Sequence, residues 1–107
     1  MADTNTISEL ALKIKNVILG IEPNAIVILF GSRARGDYRS DSDWDILVVT
    51  SRSEAWAFKD KVATAIYDLM LEYDQIITPF YFSKEKWKSG TTPSPLIENI
   101  RQEGVVL

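Results

Sequence analysis

The sequence contains no cysteine and no histidine. The first absence removes disulfides, thiolate metal sites and cysteine nucleophiles together, and it is compatible with a reducing cytosol. The second excludes a Ser-His-Asp triad, imidazole acid–base catalysis and histidine-ligated zinc. Chemistry must therefore come from carboxylates, hydroxyls and bound cations. An excess of positive charge is also missing, since 12 basic side chains stand against 15 acidic ones for a net charge of −3. Binding along a phosphate backbone needs concentrated Lys and Arg, so long nucleic acid is not the expected partner. No run of 18 apolar residues occurs, and Met-Ala-Asp-Thr-Asn-Thr at the start has neither the basic flank nor the apolar centre of a signal peptide. The expectation is a cytoplasmic protein with no membrane partner. A length of 107 residues, 46% apolar and 25% charged, fits one globular domain spanning 1–107.

What is present is strongly patterned. Ile7, Leu10, Ala11, Ile14, Val17 and Ile18 recur at the spacing of one helix face, with Thr6 and Glu9 placed as a capping box and a stop near Gly20. Ala25 to Phe30 is an unbroken apolar run of strand length, suited to a strand covered on both sides, and Trp44 to Val49 is a second. Ser51 and Glu54 are spaced as another capping box ahead of a long helix carrying Ala55, Phe58, Val62, Ala65, Ile66, Leu69, Met70 and Tyr73. Gln75 to Phe82 is rich in β-branched and aromatic residues and predicts a third strand, with Pro79 pointing to an edge or a bulge. Ser83 to Lys88 has room for one helical turn. After a loop at Thr91-Thr92-Pro93-Ser94-Pro95, a last helix has Ser94 as N-cap, Pro95 first and Gly104 as its stop, and Val105-Val106-Leu107 ends the sequence apolar. The order helix, strand, strand, helix, strand, helix predicts an α/β (α+β) sandwich with a small mixed sheet.

The polar stretch between the first two strands carries the chemistry. Asp43 and Asp45, two residues apart at a strand entrance, point to the same face with Cα atoms about 7 Å apart. Two such carboxylates repel unless a cation resolves the repulsion, and hard oxygen ligands suit Mg²⁺ shared with substrate phosphates. Trp44 and Ile46 point the other way, into the core. Gly31-Ser32 stands where a buried strand gives way to a short helix, and exposed N–H groups there attract phosphate. Ser32 adds a hydroxyl, and Arg33 and Arg35 are candidates to contact the polyphosphate. With Arg39 they read more readily as a solvated face pairing with Asp37 and Asp41. An isolated Asp-x-Asp would be read as a solvated turn. Strands on both sides and the Gly-Ser pair reverse that reading.

Gly31-Ser32-Arg33-Ala34-Arg35-Gly36-Asp37, followed by Ser42-Asp43-Trp44-Asp45 with apolar flanks, resembles the signature of the DNA polymerase β-like nucleotidyltransferases, in particular their minimal stand-alone branch. The resemblance extends over nearly the whole sequence, including Asn99 to Leu107. It implies transfer of a nucleoside monophosphate from an NTP, ATP first among them, to an acceptor, with Asp43 and Asp45 holding two Mg²⁺ ions and Gly31 and Ser32 holding phosphates. It also implies a third carboxylate from a later strand, for which Asp74 is the candidate both as metal ligand and as catalytic residue. Stand-alone members of the branch pair with a small helical HEPN-type protein as antitoxin and toxin, so the expected acceptor is a hydroxyl on a partner protein. Two other functions stand beside this: neutralisation of a partner by contact alone, and AMP transfer to a small hydroxylated compound such as an aminoglycoside. A homo-oligomer is compatible with the sequence, and nothing in it singles out a base pocket.

Overall fold

Successive side chains of a strand point to opposite sides of the sheet, so alternation decides which layer each residue serves. In β1 (Ile26–Phe30), Val27 and Leu29 face one layer and Ile28 and Phe30 the other. In β2 (Trp44–Thr50), Trp44, Ile46 and Val48 join the first layer, while Asp45, Leu47 and Val49 share the opposite side. The computed structural model describes the backbone of residues 2–90 and 94–107, and within them the side chains from Glu9 onward.

β1 and β2 pair antiparallel, with Ile26 opposite Val49 and Phe30 opposite Asp45. The long helix α3 (Trp56–Tyr73) then crosses over, and β3 (Ile77–Ser83) runs parallel to β2 with Thr78 beside Asp45. A two-residue strand, β4 (Val105–Val106), adds antiparallel to the other side of β1, giving the order β3-β2-β1-β4. Pro79 lies on the outer strand β3, where a missing N–H costs no ladder bond.

One face of the sheet is covered by α1 (Ala2–Ile21) and α3. Leu10, Ile14 and Ile18 meet Phe58, Val62, Ile66 and Leu69 over the first layer of strand residues. On the other face, α5 (Pro95–Glu103) sets Ile97 and Ile100 on Ile28, Phe30, Leu47 and Val49, with Trp87 of α4 (Lys84–Ser89) and Phe82 beside them. The expected α/β arrangement with a mixed sheet is what the chain forms. Among the described residues no helix is long and apolar enough to cross a membrane.

Several boundaries differ from expectation. Helix α1 begins at Ala2, so Thr6 lies within it rather than capping it. Helix α3 begins at Trp56 with Ala55 as N-cap and no side-chain cap bond. Residues 51–54 form a turn instead, held by the Arg52 N–H donating to Thr50 Oγ1 and the Ala55 N–H to the Arg52 carbonyl. That turn takes up the Ser51–Glu54 spacing, so no capping box forms. At α4 the Ser83 hydroxyl accepts from the Lys86 N–H, and at α5 Ser94 accepts from the Ile97 N–H with Pro95 first in the helix. The Thr91-Thr92-Pro93 part of the expected loop lies outside the described residues. Strand β4 was not expected as a strand, and Gly104 permits it. A Cβ there would stand 2.5 Å from the Ile100 carbonyl oxygen and 2.7 Å from Ile28 Cγ2.

Candidate active site

The sheet places Gly31 and Asp45 side by side, because Phe30 is the register partner of Asp45 and Gly31 follows it out of β1. Gly31 has φ 75°, in the left-handed region, and serves as N-cap of the one-turn helix α2 (Ser32–Arg35). A Cβ at this position would collide with Asp45 Oδ2. Glycine is therefore required twice, for its dihedral and for the closeness of a carboxylate. The Gly31 carbonyl accepts from the N–H groups of Ala34 and Arg35, at 3.1 Å each, and the Ser32 carbonyl from Gly36. Among the described residues the N–H groups of Ser32 and Arg33 and the Ser32 hydroxyl have no acceptor or donor partner. They are the unsatisfied first donors of a helix that starts beside Asp45.

Asp43 is exposed and Asp45 half-buried. Burial first, and then repulsion by the Asp43 carboxylate, raise the Asp45 pKa above the ordinary carboxylate value, while Arg35 pulls it the other way. The geometry thus holds a negative pair under electrostatic stress on one face, with one arginine nearby. Arg35 is partly exposed and is held at 3.4 Å by both Asp37 and Glu103. It borders a cleft of about 220 Å³ whose other wall is α5.

Two of the expected site residues go elsewhere. Arg33 is only 8% exposed. Its guanidinium donates to the carbonyls of Ser40 (3.2 Å) and Ser42 (3.0 Å) and to Gln75 Oε1 (3.0 Å), and it stacks on the rings of Tyr38 and Trp44. It is neither on a solvated face nor open to a polyphosphate, because it is buried with Nε and Nη2 pinning residues 40–42 to the core. Asp74 ends α3 in a left-handed conformation, φ 53°, three residues before β3 begins. It borders a second cleft, with Tyr67, Met70 and Leu71 of α3, and among the described residues no group of three or more acidic side chains could hold a metal. Beside Asp45 on the neighbouring strand stands Thr78. What stands next to the Gly31–Ser32 turn is two carboxylates, with Thr78 the strand neighbour of Asp45, and all of these side chains carry hard oxygen. Mg²⁺ commonly takes one or two carboxylates and completes its shell with water and substrate phosphates, so these residues fit it without a third carboxylate.

Gly31, Ser32, Arg35, Asp43 and Asp45 are thus gathered at one edge of the sheet, and Arg33 supports them from behind. The role of Arg33 was not readable from sequence, where it stands as one arginine among three. Thr78 was hidden by the register, which sequence does not give.

Comparison with known proteins agrees with this geometry. The family described as "Polymerase beta, Nucleotidyltransferase" matches residues 12–107. Two proteins of Methanocaldococcus jannaschii are similar to the chain. "Putative protein adenylyltransferase MJ0141" is 34% identical over 79 residues, 74% of each chain. "Putative protein adenylyltransferase MJ0604" is 37% identical over 81 residues, 76% of this chain and 75% of the relative. A family match over nearly the whole chain, two relatives covered for about three quarters of their length and the glycine-carboxylate edge converge, and the chain belongs to the polymerase β-like nucleotidyltransferases.

Proposed function

We propose that the protein transfers AMP from ATP to a hydroxyl group on a partner protein, releasing pyrophosphate, and that the partner is a small helical protein of the HEPN type that it holds in check. The observation that carries this reading is the contact of Gly31 with Asp45 at the open edge of the sheet. It sets unsatisfied N–H donors for phosphate directly beside carboxylates for a cation. Both Methanocaldococcus jannaschii relatives are named for protein adenylylation, which supports a protein acceptor.

In this reading the N–H groups of Ser32 and Arg33 and the Ser32 hydroxyl bind the triphosphate, and Arg35 lies over it. Asp43 and Asp45 would hold Mg²⁺, which supplies neutralisation of the polyphosphate and activation of the acceptor hydroxyl. The acceptor hydroxyl gives up its proton to solvent and its oxygen forms a bond to the α-phosphorus as the bond from that phosphorus to the oxygen bridging to the β-phosphate breaks. β2 and the anchored 40–42 segment keep the two carboxylates in place, so positioning is settled before substrate arrives.

The test is transfer of label from α-labelled ATP, with Mg²⁺, to a co-purified partner. Label on the partner is expected, falling by at least about 100-fold in Asp45→Asn, since losing a ligand costs more than the 10–100-fold typical of losing a group behind one. Absence of label on any acceptor, with no difference between wild type and Asp45→Asn, overturns the reading. That no group of three acidic side chains among the described residues could hold a metal favours a second reading, neutralisation by contact with an idle nucleotide site. Loss of neutralisation in Asp43→Asn with the complex intact would exclude it.

A further inference from the structure

We infer that the cleft between α3 and the Ser40–Asp41 segment docks the acceptor protein, and that it takes a basic amphipathic helix, an apolar stripe flanked by Lys or Arg. This rests on the transfer reading above and goes beyond it by naming the surface that holds the acceptor and the chemistry of what it holds.

Apolar surface at this cleft, about 420 Å³ in volume, has no use in the fold. Phe58, Val62, Ile66 and Leu69 are the residues by which α3 seals the core. Tyr67, Met70, Leu71 and the C-cap Asp74 follow a different line of the same helix, spaced as i, i+3, i+4 and i+7 over about 10 Å. Tyr67 is 57% exposed, Leu71 66%, and Ile76, which leads into β3, 57%. Clustered apolar exposure rimmed by polar residues marks a contact surface. Two helical turns of it present ridges that the apolar stripe of another helix fits.

Charge decides what covers it. Asp41 and Asp74 line the cleft, Asp68 and Glu72 stand exposed on the adjoining side of α3, and no Lys or Arg lines it. Among the described residues neither Asp41 nor Asp74 has an ion-pair partner. Carboxylates around apolar surface favour a partner that sets Lys or Arg beside its own apolar side chains, and they repel nucleic acid and anionic lipid. A second copy of this chain, with its net charge of −3, is disfavoured on the same ground.

The position suits an acceptor. The Trp44 N–H donates to the Ile76 carbonyl at 2.8 Å, and Arg33 joins the Ser40 carbonyl (3.2 Å) to Gln75 Oε1 (3.0 Å). The walls of the cleft are thus tied to the residue that separates Asp43 from Asp45, and a helix seated here is held at their end of the sheet. Gly31, Ser32 and Arg35 line none of it, so the phosphate-binding turn stays free for the nucleotide.

Two measurements test this on the full chain. Two variants alter the cleft: Tyr67→Gln with Leu71→Gln, and Asp41→Asn with Asp74→Asn, asparagine being tolerant of the left-handed backbone at 74. Two controls make the same kinds of change near the start of α3: Trp56→Gln, at a residue 76% exposed, and Glu54→Gln with Asp60→Asn. The first measurement is equilibrium binding of a synthetic helical peptide with Leu along one face and Lys on its flanks, and of its counterpart with Glu for Lys. Wild type and controls are expected to bind the Lys peptide and not the Glu peptide, and each cleft variant to lose at least about tenfold, the scale of one interface anchor. The second is AMP transfer from α-labelled ATP to the co-purified partner at varied partner concentration. The cleft variants are expected to raise KM for the partner by about tenfold, with kcat and ATP affinity close to wild type. The inference is overturned if the Lys peptide fails to bind wild type, if the Glu peptide binds as well, or if the controls lose as much as the cleft variants. It is overturned too if wild type sediments as a dimer and the Tyr67→Gln, Leu71→Gln variant as a monomer, which would give the cleft to a second copy. Absence of label on any acceptor, with no difference between wild type and Asp45→Asn, removes the transfer reading and this inference with it. Labelling of the partner with KM unmoved in the cleft variants removes this inference alone.

Discussion

The two faces of the sheet are built on opposite terms. On the side of α1 and α3 the strand residues are mainly apolar and carry no charge, and Ile14, Ile18, Ile46, Val48 and Val62 have no exposed surface. On the side of α5 the same strands begin with a carboxylate, Asp45, and the cover is partial: Phe80 on β3 is 39% exposed although its ring packs on Phe30. One face stores the stability of the fold. The other gives some of it up to keep an edge open where glycine backbone and carboxylates meet. The division follows from strand alternation alone, since Trp44 and Asp45 are neighbours in sequence and serve opposite layers.

The comparison can be broken from either side. Ile46→Ala, on the sealed face, is expected to have the largest effect, a loss of about 2–5 kcal/mol of folding stability from a cavity that rigid neighbours cannot fill. Denaturant unfolding measures it, and ATP binding by the fraction that stays folded should be unchanged. A fall in affinity without a fall in stability would mean that the faces are not independent.

Gly31→Ala attacks the open face. The left-handed dihedral and the Asp45 carboxylate leave no room for a methyl group, so a cost of about 1–3 kcal/mol is expected together with weaker nucleotide binding as Asp45 is pushed aside. Retention of wild-type stability and affinity would remove the close approach from the account of the site.

The smallest effect has the most telling sign. A carboxyl group whose folded pKa is raised takes up its proton more readily in the folded state than in the unfolded one. Its contribution is full below the ordinary carboxylate value and is lost as pH rises through the raised folded value. In metal-free buffer Asp45→Asn should therefore be slightly more stable than wild type at neutral pH, and the difference should vanish in acid. Thermal unfolding across pH checks this, and added Mg²⁺ should stabilise wild type and not the asparagine variant. Equal stability of the two at all pH values would deny the electrostatic stress.

Much of this was legible in the sequence, for identifiable reasons. Ser94, Pro95 and Gly104 bound α5 as expected because capping is a local interaction, decided within a few residues. The core runs of β1 and β2 follow from period alone, and two residues of separation keep Asp43 close enough to Asp45 to repel it. Thr6–Glu9 and Ser51–Glu54 have the spacing of capping boxes, yet in both places the helix starts elsewhere, at Ala2 and at Trp56. β4 has two residues and no period to detect; its place depends on Gly104 fitting against Ile28, a contact between distant segments. Arg33 and Asp74 were read by charge, but long-range packing decides what each does. Arg33 reaches Gln75, 42 positions away, and Asp74 turns the chain into β3.

That single arginine has a consequence for timing. Its fork gathers the carbonyls of Ser40 and Ser42, the amide of Gln75 and the rings of Tyr38 and Trp44 around one cation. The segment leading to Asp43 is thereby ordered once, when the chain folds. The conformational entropy of arranging it is lost in folding and does not recur at each turnover.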